Sequence, residues 1–123
     1  MLNLTDQEFD QMVEEAIKAI TPEFRAYFDT VPVIVEDQPD ARLCRDMQLD
    51  DPGELLGLFH GIPFDCRSVQ GMDGPNLIVL YRRNLLSYCR SRRKLLEQIR
   101  RTLVHELAHL VGFSEEEIRR RGY

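Results

Sequence analysis

At 123 residues the chain is long enough for one modest hydrophobic core and too short for two. Hydrophobic residues at 43% and charged residues at 30% exclude a disordered chain, and no apolar run reaches the roughly 18 residues of a membrane-spanning helix. The net charge of −5 is unevenly spread: residues 1–60 hold 14 acids and 4 bases, whereas residues 61–123 hold 7 acids and 12 bases.

The opening MLNLTDQEFD is acidic and lacks the basic flank and apolar block of a signal peptide. Cys44, Cys66 and Cys89 are odd in number, widely spaced and form no Cys-x-x-Cys pair. They read as reduced, mostly buried small apolar residues, and the expected setting is the cytoplasm.

Along the chain, Thr5 and Glu8 stand in capping-box spacing, and Phe9, Met12, Val13, Ile17 and Ile20 follow at helical intervals, so the first element is an amphipathic helix. Pro22 restarts a short helical turn through about Phe28. VPVIVED is β-branched and short, a strand ending at Asp37. The polar, proline-containing QPDARLCRDMQLDDPGE is a loop with at most one helical turn. LLGLFHG is a second strand, IPFDCRSVQGMDGP an irregular stretch with turn residues, and NLIVLYR a third strand. RNLLSYC can form one or two helical turns.

SRRKLLEQIRRTLVHELAHLV is the long helix, with Ser91 as N-cap and Leu95, Leu96, Ile99, Leu103, Leu107 and Leu110 as its buried stripe. Gly112 suits a left-handed C-terminal cap. Ser114 and Glu117 repeat the capping-box spacing and start a short last helix. The order helix, strand, strand, strand, long helix predicts a single α+β domain over residues 1–123, a small mixed sheet of three or more strands packed on helices.

The long helix carries His-Glu-x-x-His. Side chains at i and i+4 share a helix face about 5–6 Å apart, so His105 and His109 can offer two imidazoles to one ion, and zinc favours such nitrogen ligands. Glu106 lies about 100° further round the helix, placed to act as general base on water without binding the metal. A third ligand must come from elsewhere. Gly112 permits a sharp turn, and Glu115, three residues on, is the leading candidate, because two histidines and one carboxylate form a catalytic zinc set. Glu116 and His60 are the alternatives. Each glutamate also suits the first turn of a helix, whose dipole favours acids.

The motif with its glycine resembles the zincin-like metallopeptidases. The runs VPVIVEDQP, GELLGLFHGIP, PNLIVLYRRNL and TLVHELAHLVGFSEEEI, in that order, resemble more closely a family of small bacterial proteins with a minimal metalloproteinase-like domain. The resemblance implies a zincin-like α+β fold, zinc at His105 and His109, and Glu106 as catalytic glutamate. The chain departs from the larger metzincins, which have histidine or aspartate where Glu115 stands and a methionine turn further on. The stretch QPDARLCRDMQLDD is also longer than the family's usual link.

A zinc peptidase with a peptide or protein substrate is the first functional expectation. NLIVLYR would flank the site with an exposed edge able to hold extended peptide by strand addition, and Tyr81 at its end could hydrogen-bond the oxyanion of the tetrahedral intermediate. So short a chain implies a shallow cleft, which a protein partner could complete. The alternative is a non-catalytic zinc domain acting as an interaction or regulatory module. Structural zinc sites are usually closed by four ligands, often cysteines, and no cysteine lies near the motif. Arg82, Arg83, Arg90, Arg92 and Arg93 could contact nucleic acid, but the acidic whole repels phosphate and the acidic half can neutralise them. No membrane partner is expected.

Overall fold

A computed structural model describes residues 1–61 and 76–123. The irregular stretch IPFDCRSVQGMDGP, with Cys66, lies outside the described residues. Those that are described form six helices and a three-stranded mixed sheet, an α+β architecture. No helix among them is long and apolar enough to cross a membrane.

Helix α1 (Asp6–Lys18) starts as the sequence dictates. Thr5 Oγ1 accepts from the Glu8 N–H at 3.1 Å, and the Glu8 carboxylate accepts from the Thr5 N–H at 2.9 Å. The helix buries Phe9, Met12, Val13 and Ala16 and packs on the long helix α5 (Arg92–Val111). Pro22 opens α2 (Pro22–Arg25), where its fixed φ suits the first helical position, and a 3-10 turn (Ala26–Asp29) leads on to strand β1 (Val33–Glu36).

The 38–54 stretch holds more structure than a loop. Asp40 caps α3 (Ala41–Asp46) by accepting from the Leu43 N–H at 2.8 Å, and a 3-10 turn (Pro52–Glu54) precedes β2 (Gly57–His60). Both ends of the stretch meet one buried side chain. Asn84, on α4 (Arg82–Tyr88), donates to the Pro52 and Leu55 carbonyls at 2.7 Å each and accepts from Gln38 at 2.9 Å.

Strand β3 (Leu77–Tyr81) pairs parallel with β1 and antiparallel with β2, giving the order β1-β3-β2. NLIVLYR therefore supplies the central strand and has no exposed edge; among the described residues the open edges belong to β1 and β2. The physical reason is burial. Leu77–Tyr81 is a continuous apolar run buried on both faces, as a central strand must be. Ile78 and Leu80 enter the main core with the α5 stripe of Leu95, Ile99, Leu103, Leu107 and Leu110, whereas Leu96 packs only at its margin. Val79 and Tyr81 face the other way.

Helix α5 has the expected ends. Ser91 Oγ accepts from the Lys94 N–H, and Gly112 closes the helix at φ 81°. Ser114 and Glu117 form the second capping box, at the start of α6 (Glu115–Arg120). Two cations of the basic stretch pair with the acidic half: Arg82 with Asp6 and Asp37, and Arg92 with Glu8.

Candidate metal centre

The last three turns of α5 carry His105, Glu106 and His109, and the Gly112 turn brings α6 back beside them. Glu115 Oε1 approaches His105 Nδ1 to 3.7 Å. Glu116 instead bonds Arg120 along its own helix at 2.8 Å. His109 Nδ1 lies 3.5 Å from Glu106 Oε1. His60 is exposed at the end of β2, and alternation along the strand puts it on the sheet face away from α5.

Glu106 is the most enclosed of these acids, its side chain 16% exposed. Its Oε1 accepts from the Phe59 N–H at 2.9 Å. That N–H is available because Gly57 and Phe59 sit opposite Leu80 and Ile78, while Leu56, one residue earlier, accepts from the Tyr81 N–H. In an antiparallel pair this phase turns the main-chain groups of Gly57 and Phe59 outward. Burial raises the Glu106 carboxyl above the usual carboxylate range, partly opposed by the Phe59 N–H and by the two imidazoles.

Gly57 makes this approach possible. A Cβ there would lie 2.6 Å from Thr102 Cγ2 and 3.1 Å from the Val79 carbonyl oxygen. Only glycine lets β2 lie this close on α5, which brings the Phe59 N–H within reach of Glu106. A groove of about 430 Å³ runs from His105 and Glu106 along α5 past Thr102, Arg101 and Gln98, with Leu56 and Gly57 on one wall and Tyr88 on the other.

Tyr81 is not brought to this centre. It is buried on the opposite sheet face, near Glu36, Asp40 and Cys44, and its hydroxyl is pushed up to about 12 by burial and then by those acidic neighbours. Among the residues beside the groove that the motif did not point to are Gly57, Thr102 and Tyr88. A glycine inside an apolar strand is itself a sign of close backbone approach.

The zincin-like metallopeptidase family model matches residues 28–123. The chain belongs to this family. The match takes in every strand and the whole of α5 and α6, and leaves α1 outside it. A search of curated proteins finds no match.

Membership implies zinc as the family's metal. Among the described residues no three His, Cys, Asp or Glu side chains are arranged to hold one ion: His105 meets Glu115, while His109 is turned to Glu106. The donor types nevertheless fit zinc, since two imidazoles at i and i+4 and a carboxylate lie at one end of α5. The His109 and Glu115 side chains are 63% and 69% exposed, so both have room to turn.

Proposed function

We propose that the chain is a zinc-dependent peptidase in which His105, His109 and Glu115 hold the metal and Glu106 is the general base. The position of Glu106 carries this reading. It lies between the imidazole pair and the outward edge of β2, fixed through one carboxylate oxygen. Among the described residues Oε2 has no hydrogen bond, and so can take a proton. Burial raises the carboxyl above its ordinary value, which makes it a better proton acceptor.

Bound there, zinc would supply a Lewis acid that acidifies water and polarises a peptide carbonyl. The chain's own residues do the rest. The outward main-chain groups of β2 that Glu106 does not take, those of Gly57 and the Phe59 carbonyl, offer an extended peptide a strand to pair with, and the adjoining groove receives its side chains. His105 and Glu115 already approach one another to 3.7 Å, so a short movement of the exposed Glu115 would bring both to one ion.

The test joins metal analysis to peptide hydrolysis. The purified protein should carry one zinc per chain and cleave an unstructured peptide. Glu106→Gln keeps an acceptor oxygen for the Phe59 N–H, and should lower hydrolysis by about 10²–10⁴-fold without loss of zinc or of melting temperature. Undiminished hydrolysis in that variant would remove Glu106 from the reaction. A zinc-loaded protein that cleaves no peptide would favour a non-catalytic zinc domain.

A further inference from the structure

A groove of about 910 Å³, larger than the one beside Glu106, lies away from the candidate metal centre, between α1 and the edge of β1 that no described strand pairs with. Its charge is one-sided. Four carboxylates line it, Asp6, Asp10, Glu14 and Asp29, against the guanidiniums of Arg25 and Arg82. Arg82 is already paired with Asp6 and Asp37. Among the described residues the carboxylates of Asp10, Glu14 and Asp29 have neither ion pair nor hydrogen bond. Beneath them the floor is apolar, with Val13, Ile17 and Val33.

The strand beside it is unprotected. The Pro32 carbonyl accepts from the Ile78 N–H at 3.0 Å, and β1 is in parallel register with β3 from Val33 opposite Ile78. In a parallel ladder this phase turns the main-chain groups of Ile34 toward β3 and those of Val33 and Val35 outward. Natural edge strands are commonly blunted by charged side chains, proline or a bulge; VIVE has no proline, and its one charge, the exposed Glu36, is an acid that does not repel a basic peptide. Ile34, on the sheet face away from α1, is 42% exposed.

Spacing then selects the occupant. Asp6, Asp10 and Glu14 are successive i, i+4 positions on α1, about 6 Å apart along its axis. Alternate residues of an extended chain are about 6.6 Å apart. A strand laid along β1 therefore presents every second side chain to a carboxylate of α1, and the intervening ones to Ile34. Lysine stems can lie over Val13 and Ile17 with their ammonium groups at the acids. The geometry points to a docking site for an extended peptide with alternating basic and apolar residues, added to the sheet as a fourth strand at β1. The site uses α1, which lies outside the family match, and is independent of any metal.

The test is fluorescence anisotropy on the full chain with labelled acetyl-Lys-Val-Lys-Val-Lys-Val-amide. Saturable binding is expected, with little for a peptide of the same composition arranged as three lysines then three valines. Asp10→Asn with Glu14→Gln, both exposed sites, should weaken binding about tenfold, equivalent to about 1.4 kcal/mol, at unchanged melting temperature. Strand addition predicts that N-methylation of one alternate set of peptide amides abolishes binding while methylation of the other set does not. No binding, equal binding of the rearranged peptide, indifference to both methylated sets, or indifference to the double substitution would each overturn the proposal. So would a dimer in sedimentation that the peptide does not dissociate, since a second copy would then own the edge.

Discussion

The Phe59 N–H donates to Glu106 Oε1 at 2.9 Å, and so joins the outer strand of the sheet to the motif helix at its central acid. The bond depends on how closely β2 lies on α5, and that closeness depends on Gly57. In Gly57→Ala the new methyl meets a buried threonine methyl on one side and a main-chain carbonyl on the other. The carbonyl cannot move without breaking the sheet. The expected cost is about 1–3 kcal/mol of stability and, under the proposed function, lost hydrolysis as Glu106 loses its anchor. Thr102→Ser removes the obstructing methyl and keeps a hydroxyl for Gln98, which now donates to Thr102 at 3.1 Å. Placed in the Gly57→Ala background it should recover part of the loss, and a double-mutant cycle from chemical denaturation measures the coupling. Additive effects would mean that the contact is not what limits the approach.

What the chain reveals locally and what it conceals follow from the range of the interactions. Both capping boxes and the Gly112 stop are set by residues within four positions of one another, so spacing alone places α1, α5 and α6. The metal motif is equally local. Sheet order is not. Three short apolar strands look alike until their faces are compared, and NLIVLYR was expected to offer an edge although its unbroken apolar run marks the centre. Tyr81 is placed in the same way, since period-2 alternation from Leu80 puts it on the sheet face away from the candidate centre. Asn84 carries no local signature, because its partners at Gln38, Pro52 and Leu55 are 29 to 46 residues away.

Asn84 holds the start and end of the 38–54 stretch together, and Leu55 lies two residues before β2. Asn84→Ala leaves two carbonyls and the Gln38 amide without their partner. The expected loss is about 1–3 kcal/mol, read as a lower midpoint in urea. Faster amide exchange at 38–55 than in α1 should accompany it, because the stretch is released while the α1–α5 core is not touched. Uniformly faster exchange would mean that Asn84 supports the whole core instead.

Glu115 and Glu116 adjoin in sequence but differ in what they face. Glu115 approaches His105, whereas Glu116 forms an exposed i, i+4 pair with Arg120, a kind of pair that contributes little. Under the proposed ligand set Glu115→Gln should weaken zinc binding by about tenfold or more, equivalent to at least about 1.4 kcal/mol. Glu116→Gln should leave it unchanged. Competition against a chelator of known affinity measures both. Equal affinity in all three proteins would remove both acids from the ligand set.

Acid should weaken the fold through two carboxylates far from the metal centre. Glu8 is held below its ordinary value of 4.5 by the Thr5 N–H, then by Arg92 and the Thr5 hydroxyl. Glu23 is held below the same value by Arg121, which grips it through two nitrogens at 2.7 and 2.9 Å. A group whose folded pKa is depressed adds stability that is complete above its unfolded value and is lost as pH falls through the folded one. The wild type should therefore exceed Glu23→Gln in melting temperature at pH 6, and the gap should close as the pH is lowered below 4.5. Glu8→Gln should show the same convergence, reduced by whatever capping the glutamine amide retains. A gap that stays constant from pH 6 to pH 3 would mean that these carboxylates act through packing and not through charge.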